Sequence, residues 1–249
     1  MSVSIVTGAS RGIGKAIAKK LATDSQVLLI ARDDGKLKEV LAEIKDSGGS
    51  ANFLVGDIKD PELVKEAIAQ AQSMGSLQNL ILNAGISKSG GAGSFPENSL
   101  RELFETNFFA NVNFLKEALP ILPNNANIIF LTGAAGIQGY SSMTGYCASK
   151  HALVGYARAL ALEVAKKGIQ VIPLCPGPVD TEMTGSIVKF LVNKGMTEEA
   201  AKTKVAESSG QKRLLTVEEV AEVVSEICSR QTDRNLTGTP YSLLELVAQ

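Results

Sequence analysis

Cysteine, histidine and any excess of charge are all scarce in this chain of 249 residues. The three cysteines, Cys147, Cys175 and Cys228, are an odd number at wide spacing. That pattern argues against a disulfide framework and does not resemble a zinc site, so free thiols in a reducing compartment and no metal centre are expected. The single histidine, His151, directly follows a lysine and reads as structural. Lys and Arg total 25 against 26 Asp and Glu. With no basic surplus, neither nucleic acid nor a membrane surface is expected as a partner. No apolar run approaches the ~20 residues that a membrane span needs, and the opening MSVSIVTGAS lacks the charged-then-apolar order of a secretion signal. The cytoplasm is the default location, an organelle matrix the alternative.

What is present is ordinary globular composition: 45% hydrophobic and 20% charged residues, which speaks against disorder. The length suits one large α/β domain or two small ones. Short β-branched runs at 3–7, 26–31, 51–56, 77–82, 127–132 and 169–175 read as strands. Several are apolar on both parities, as strands covered by helices on both faces are. Helical periodicity fills 12–23, 34–47, 61–74, 99–119, about 146–167 and 217–230. This alternation predicts right-handed βαβ units, a parallel sheet and one doubly wound α/β domain over residues 1–249. Two segments break the rhythm. Residues 87–96, SKSGGAGSFP, read as a mobile loop, and 182–212, beyond the sixth strand, as a lid or substrate loop.

The first strand runs into TGASRGIG at 7–14. Gly8, Gly12 and Gly14 let the backbone turn sharply and approach a ligand closely, and the helix that follows offers free N–H groups and a positive dipole end to a pyrophosphate. Downstream lie Asp57 in GDI, LNAG at 82–85, Asn107 in TNFFAN, YCASK at 146–150 and PGPVDT at 176–181. Taken together and in this order, these segments resemble the short-chain dehydrogenase/reductase family over roughly residues 3–181, with a looser match beyond. The resemblance implies a Rossmann sheet of about seven strands. It also implies cofactor contacts from Gly8, Ser10, Arg11, Gly12, Ile13, Gly14, Arg32, Asp57, Ile58, Asn83, Ala84, Gly85, Tyr146, Lys150, Pro176, Gly177, Val179 and Thr181.

The second strand ends VLLIAR. An acid at the end of this strand would hydrogen-bond the ribose 2′-hydroxyl of NAD. Ala31 holds that position, and Arg32 and Arg11 offer two guanidinium groups to a 2′-phosphate. NADP(H) is therefore favoured over NAD(H); mixed preference follows if Asp33 rather than Ala31 faces the ribose.

Tyr146 and Lys150 are spaced i, i+4 and share a helix face. A phenol with a pKa near 10 moves protons poorly at neutral pH, and a nearby ammonium is expected to lower it. Tyr146 then donates a proton to a carbonyl oxygen, or acts as base in reverse. The resemblance adds Asn107 as the holder of a water that links Lys150 to solvent. It also places a substrate-orienting serine about thirteen residues before Tyr146, where this chain has Gly133. Thr132 should face the other way, although a flexible glycine could let it swing. Ser141, Ser142 or an ordered water are the other substitutes. Loss of one positioned donor costs about 10²–10³ in turnover, so a slow or unusual reductase is expected, and Gly133→Ser should raise activity if only the donor is missing. The leading expectation is NAD(P)-dependent interconversion of a carbonyl compound and its alcohol. The competing one is a dinucleotide-binding sensor or scaffold with little chemistry. The alanine-rich helix at 148–165, with Gly155, allows close helix packing, and the resemblance implies pairing through it and the helix carrying Asn107, so a homodimer or homotetramer is expected.

Overall fold

The computed structural model describes residues 1–229 and 236–244. The end of the expected helix 217–230 and of the C-terminal segment, residues 230 and 245–249, lies outside them. Seven strands form one parallel sheet in the order β3-β2-β1-β4-β5-β6-β7. They are β1 (Ser2–Thr7), β2 (Gln26–Ala31), β3 (Ser50–Val55), β4 (Ser76–Leu82), β5 (Asn127–Leu131), β6 (Gln170–Cys175) and the two-residue β7 (Tyr241–Ser242). β5 and β6 are buried along their whole length, as their continuous apolar runs require. This is a Rossmann-like α/β fold. The helices are α1 (Gly12–Leu21), α2 (Asp34–Asp46), α3 (Pro61–Met74), α4 (Glu97–Phe104), α5 (Ala110–Ala118), α6 (Thr144–Val164), α7 (Glu182–Asn193), α8 (Glu198–Glu207) and α9 (Val217–Ser229). One face of the sheet packs on α3, α5 and α6 through residues such as Phe114, Phe130 and Leu153. The other packs on α1, α2 and α9 through Ile17, Leu37 and Val224.

The expected continuous helix over 99–119 is a correction. A π-turn, Glu105–Phe109, separates α4 from α5. The sequence supplies a reason: the buried Asn111 amide donates to the carbonyls of Thr106 (3.2 Å) and Asn107 (2.9 Å), which lie at the widened turn. The turn also sets which side chains of this segment face inward. Leu103 and Asn107 are fully buried, whereas Leu100 is partly exposed. The segment 182–212 is not a bare loop; it carries α7 and α8, joined by a small apolar cluster of Val188, Ala201 and Val205.

The strand order reverses between β1 and β4, and there the ends of these two strands are tied together. The fully buried Thr7 hydroxyl accepts the N–H groups of Asn83 and Ala84, both at 3.0 Å. The Asn83 amide donates to Thr7 O at 2.8 Å. The glycine turn is compressed against this knot. A Cβ on Gly14 would lie 2.3 Å from Gly8 O and 2.5 Å from the Asn83 amide nitrogen. Gly14→Ala should therefore destabilise the protein by at least about 1–3 kcal/mol, the usual cost of overpacking. Gly35→Ala, where the nearest atom is 3.6 Å away, should be neutral or mildly stabilising; urea denaturation of both variants checks the contrast.

Candidate active site

A cleft of about 1460 Å³ opens above the carboxyl ends of β1 and β4. Most of the residues singled out in the sequence line it together: Gly8, Ser10, Arg11, Gly12, Ile13, Gly14, Arg32, Asp57, Ile58, Asn83, Ala84, Gly85, Thr181, Ser141 and Ser142. Such a crevice at the switch in strand order is where doubly wound sheets bind ligands. The start of α1 has no side-chain cap, whereas Asp33, Asp60, Thr181 and Thr197 cap α2, α3, α7 and α8. Gly12, at φ +53°, needs the left-handed region at this mouth. An uncapped helix N-terminus at a glycine cradle fits the pyrophosphate of a dinucleotide.

Charge is concentrated at one end. Arg11 pairs with Glu182, and Lys36 lies 3.5 Å from the same carboxylate. Arg32 lies 3.8 Å from Asp57, which also approaches Lys59 at 3.5 Å. Ala31 is buried at the end of β2. Both acids that follow are engaged: Asp33 accepts the Lys36 N–H at 3.0 Å and Asp34 pairs with Lys38 at 2.7 Å. Glu182 and Lys36 were not singled out in the sequence. Glu182 directly follows Thr181 at the start of α7, and that adjacency was the available signal.

Tyr146 and Lys150 sit on α6 one turn apart, but not as a phenol–ammonium pair. The Lys150 Nζ donates to Leu131 O at 2.8 Å and lies 6.0 Å from the Tyr146 ring centre. The expected lowering of the tyrosine is corrected: Tyr146 is pushed up to about 12, chiefly by burial, then by the neighbouring Cys147 and Tyr140. Burial likewise pulls Lys150 down to about 8. Asn107 is fully buried; its Oδ1 accepts the Ile86 N–H at 2.8 Å, and its Nδ2 donates to Ile86 O and to Ser149 Oγ, each at 3.0 Å. Ser149 in turn donates to Tyr146 O at 2.7 Å. A Cβ on Gly85 would come within 3.1 Å of Asn107 Oδ1 and 3.3 Å of Lys150 Nζ. These two polar groups therefore meet beside a residue that lines the cleft.

Pro176, Gly177 and Val179 are buried. Pro176 O accepts the Ala134 N–H at 2.7 Å, and a Cβ on Gly177 would collide with Gln211 Oε1 at 2.1 Å. Thr132 is not available to a substrate: it is fully buried, and its hydroxyl donates to Leu174 O at 2.9 Å. Gly133 has φ +68° and ψ 169°, a region essentially closed to residues with a Cβ. The space itself is open, since the nearest atom to an added Cβ is Pro176 O at 3.8 Å. Ser141 and Ser142 are exposed at the mouth, where Ser142 O accepts the Gly90 N–H at 2.8 Å and joins the 87–96 loop to this segment. Tyr140, also not singled out earlier, has its hydroxyl held by Gln138 Nε2 and Ser209 Oγ.

The short chain dehydrogenase profile matches residues 2–191. A granaticin polyketide synthase putative ketoacyl reductase from Streptomyces violaceoruber is 35% identical over 187 residues, 73% of this chain and 69% of that protein. A variant of the actinorhodin polyketide ketoreductase solved with NADPH superposes with a TM-score of 0.89 at 26% identity, covering 100% of this chain and 97% of its own. A 7α-hydroxysteroid dehydrogenase solved with NADH reaches 0.86 at 25% identity, covering 97% and 92%. The chain belongs to the short-chain dehydrogenase/reductase family and is an oxidoreductase by family.

Two outcomes follow. Gly133→Ser should not simply restore a hydroxyl; the positive φ should lower stability by about 1–3 kcal/mol, read from the urea midpoint. The buried lysine should make stability depend on pH. Below about pH 8 Lys150 is charged in both states and its burial opposes folding. From there to its ordinary 10.5 only the unfolded chain keeps the proton, so stability rises with pH. Above 10 the unfolded Tyr146 ionises while the folded one does not until about 12, and stability falls. Denaturation between about pH 7 and 10 should show a rise that Lys150→Met abolishes.

Proposed function

We propose that this chain, as one oxidoreductase domain over residues 1–249, is an NADPH-preferring reductase of a ketone, aldehyde or keto-acyl compound. The observation that supports the reading is that Gly85, which lines the cleft that begins at the glycine turn, lies against both Asn107 Oδ1 and Lys150 Nζ, although neither of these residues lines the cleft itself. The dinucleotide, when bound, supplies the hydride. The turn residues Gly8, Ser10, Arg11, Gly12, Ile13 and Gly14 hold its phosphates. Asp57, Ile58, Asn83, Ala84 and Gly85 line its path, and Pro176, Gly177, Val179 and Thr181 support the nicotinamide end. Arg11 and Arg32, helped by Lys36, favour a 2′-phosphate; their present carboxylate partners are exposed ion pairs of little worth, which a phosphate can displace.

Tyr146 is a neutral phenol at every physiological pH in this setting, which suits a proton donor and hence the reductive direction. The hydrogen bonds from Asn107 to Ser149 and from Ser149 to the backbone carbonyl of Tyr146 fix this turn of α6 and so position the tyrosine. On the far side of the cleft, Met183, Ile187 and Phe190 share the i, i+4, i+7 face of α7, and all three are exposed. That face suits a substrate with an apolar body. The exposed Leu162 and the open outer face at Gly155 support pairing of α6 in a homodimer or homotetramer. No described helix is long and apolar enough to cross a membrane, and the cytoplasm is the proposed location.

The test is a carbonyl panel containing ethyl acetoacetate and acetophenone, followed by NADPH absorbance. Turnover is expected, falling at least about 10²-fold in Tyr146→Phe. NADPH is expected to outperform NADH, and Arg32→Ala should raise the NADPH KM about tenfold by removing a charge-assisted contact. NADPH binding with no turnover anywhere in the panel would favour the sensor or scaffold reading.

A further inference from the structure

We propose that Glu182 sets how strictly NADPH is preferred to NADH: its carboxylate competes with the cofactor's 2′-phosphate for Arg11 and Lys36. The proposal rests on the reading of the cleft as a dinucleotide site and deepens it.

Three segments far apart in the chain meet at this carboxylate. Arg11 belongs to the glycine turn, Lys36 to the first turn of α2 and Glu182 to the first turn of α7. All three line the same cleft. The two carboxylate oxygens are divided between the two cations. Oε2 meets the Arg11 guanidinium, and Oε1 lies 3.5 Å from the Lys36 ammonium. The other acids at this mouth are engaged elsewhere: Asp33 caps α2, Asp34 pairs with Lys38, and Asp57 lies between Arg32 and Lys59. Among the described residues, Glu182 is thus the acid that holds both Arg11 and Lys36.

Packing delivers it there. Thr181 caps α7 by accepting the Thr184 N–H at 3.4 Å. Its methyl group lies 3.5 Å from where a Cβ on Gly12 would stand. The root of α7 therefore sits on the glycine turn, with Glu182 beside Arg11. The Glu182 side chain is 62% exposed, so it can exchange partners while the helix stays in place. Arg11 first, and then Lys36, hold its carboxyl below the usual carboxylate range, so it keeps its charge at neutral pH.

The two cofactors differ at one group. NADPH carries a phosphate monoester on the adenosine ribose, with a charge of about −1.5 to −2 and three acceptor oxygens. NADH has a hydroxyl there. The phosphate draws Arg11 and Lys36 away from Glu182 and leaves the carboxylate close to a like charge. The uncharged hydroxyl cannot, and the ion pairs stay as they are. Glu182 thus weakens the binding of NADPH and leaves that of NADH in place. It narrows a preference that Arg11, Arg32 and Lys36 alone would make stricter. Exposed pairs of this kind are worth only about 1.5- to 5-fold each in affinity, so the two together amount to roughly 3- to 10-fold.

The experiment measures Kd for NADPH and for NADH by fluorescence titration in the wild type and in Glu182→Gln, which removes the charge and keeps the size. At about 0.01 M ionic strength, where screening is weak, the NADPH Kd is expected to fall about 3- to 10-fold and the NADH Kd to change less than about twofold. At about 1 M, where the Debye length is about 3 Å, the gain for NADPH should shrink to less than about twofold. Equal tightening of both cofactors would make Glu182 a general repellent of the diphosphate, and equal weakening would make it a clasp across the cleft; either overturns the proposal. So does an unchanged NADPH Kd at low salt. A wild type that binds no dinucleotide removes the functional reading and the Glu182 proposal with it. A wild type that binds NADPH, with the same ratio of the two Kd values in Glu182→Gln, sinks the Glu182 proposal alone. A wild type that favours NADH, with the ratio still moved by Glu182→Gln, overturns the stated preference and supports the role of Glu182.

Discussion

The knot between Thr7 and Asn83 is the contact on which the rest of the site depends. β1 and β4 are neighbours in the sheet but far apart in the chain, and their ends must agree for a crevice to form. A single hydroxyl satisfies two backbone N–H groups there, and the returning amide satisfies two carbonyls. Buried polar groups without such partners would cost on the order of 1–3 kcal/mol each. With them, the glycine turn is pressed onto the end of β4, the N-terminus of α1 is aimed at the cleft, and Gly85 is brought against Asn107 and Lys150. The absence of side chains at Gly8 and Gly14 serves this internal packing first; Gly12 is the glycine left facing the ligand space.

Much of the architecture was legible in the sequence because it is written in periodicity. Strands such as NIIFL and QVIPLC are apolar on both parities and could be placed within a residue or so. The π-turn at 105–109 was not legible. It depends on a side-chain amide competing for backbone carbonyls, which no pattern of apolar residues encodes. The cleft residues of the glycine turn and of the NAG run were legible as a set, since adjacent chain positions bring them together. The contacts of Glu182 and Tyr140 were not, because each joins segments far apart in the chain.

The proton machinery shows why spacing alone misleads. Two residues one helical turn apart suggested an ammonium lowering a phenol. In the folded chain the lysine is drawn to the carbonyl of Leu131 at the end of β5, and burial governs both groups. It drives their pKa values apart, the lysine down to about 8 and the tyrosine up to about 12. In the proposed reductase, a phenol kept neutral in this way is a proton donor and a poor resident base.

The backbone at Gly133 has an evolutionary corollary. Once the chain settles into a conformation open only to glycine, a serine cannot be introduced there by one codon change without strain. A returning side chain meets a φ of +68° before its hydroxyl can be useful, so the β5 turn must first relax. The position works as a ratchet: a hydroxyl for this part of the site is more easily gained at other positions, on segments whose backbone accepts a side chain.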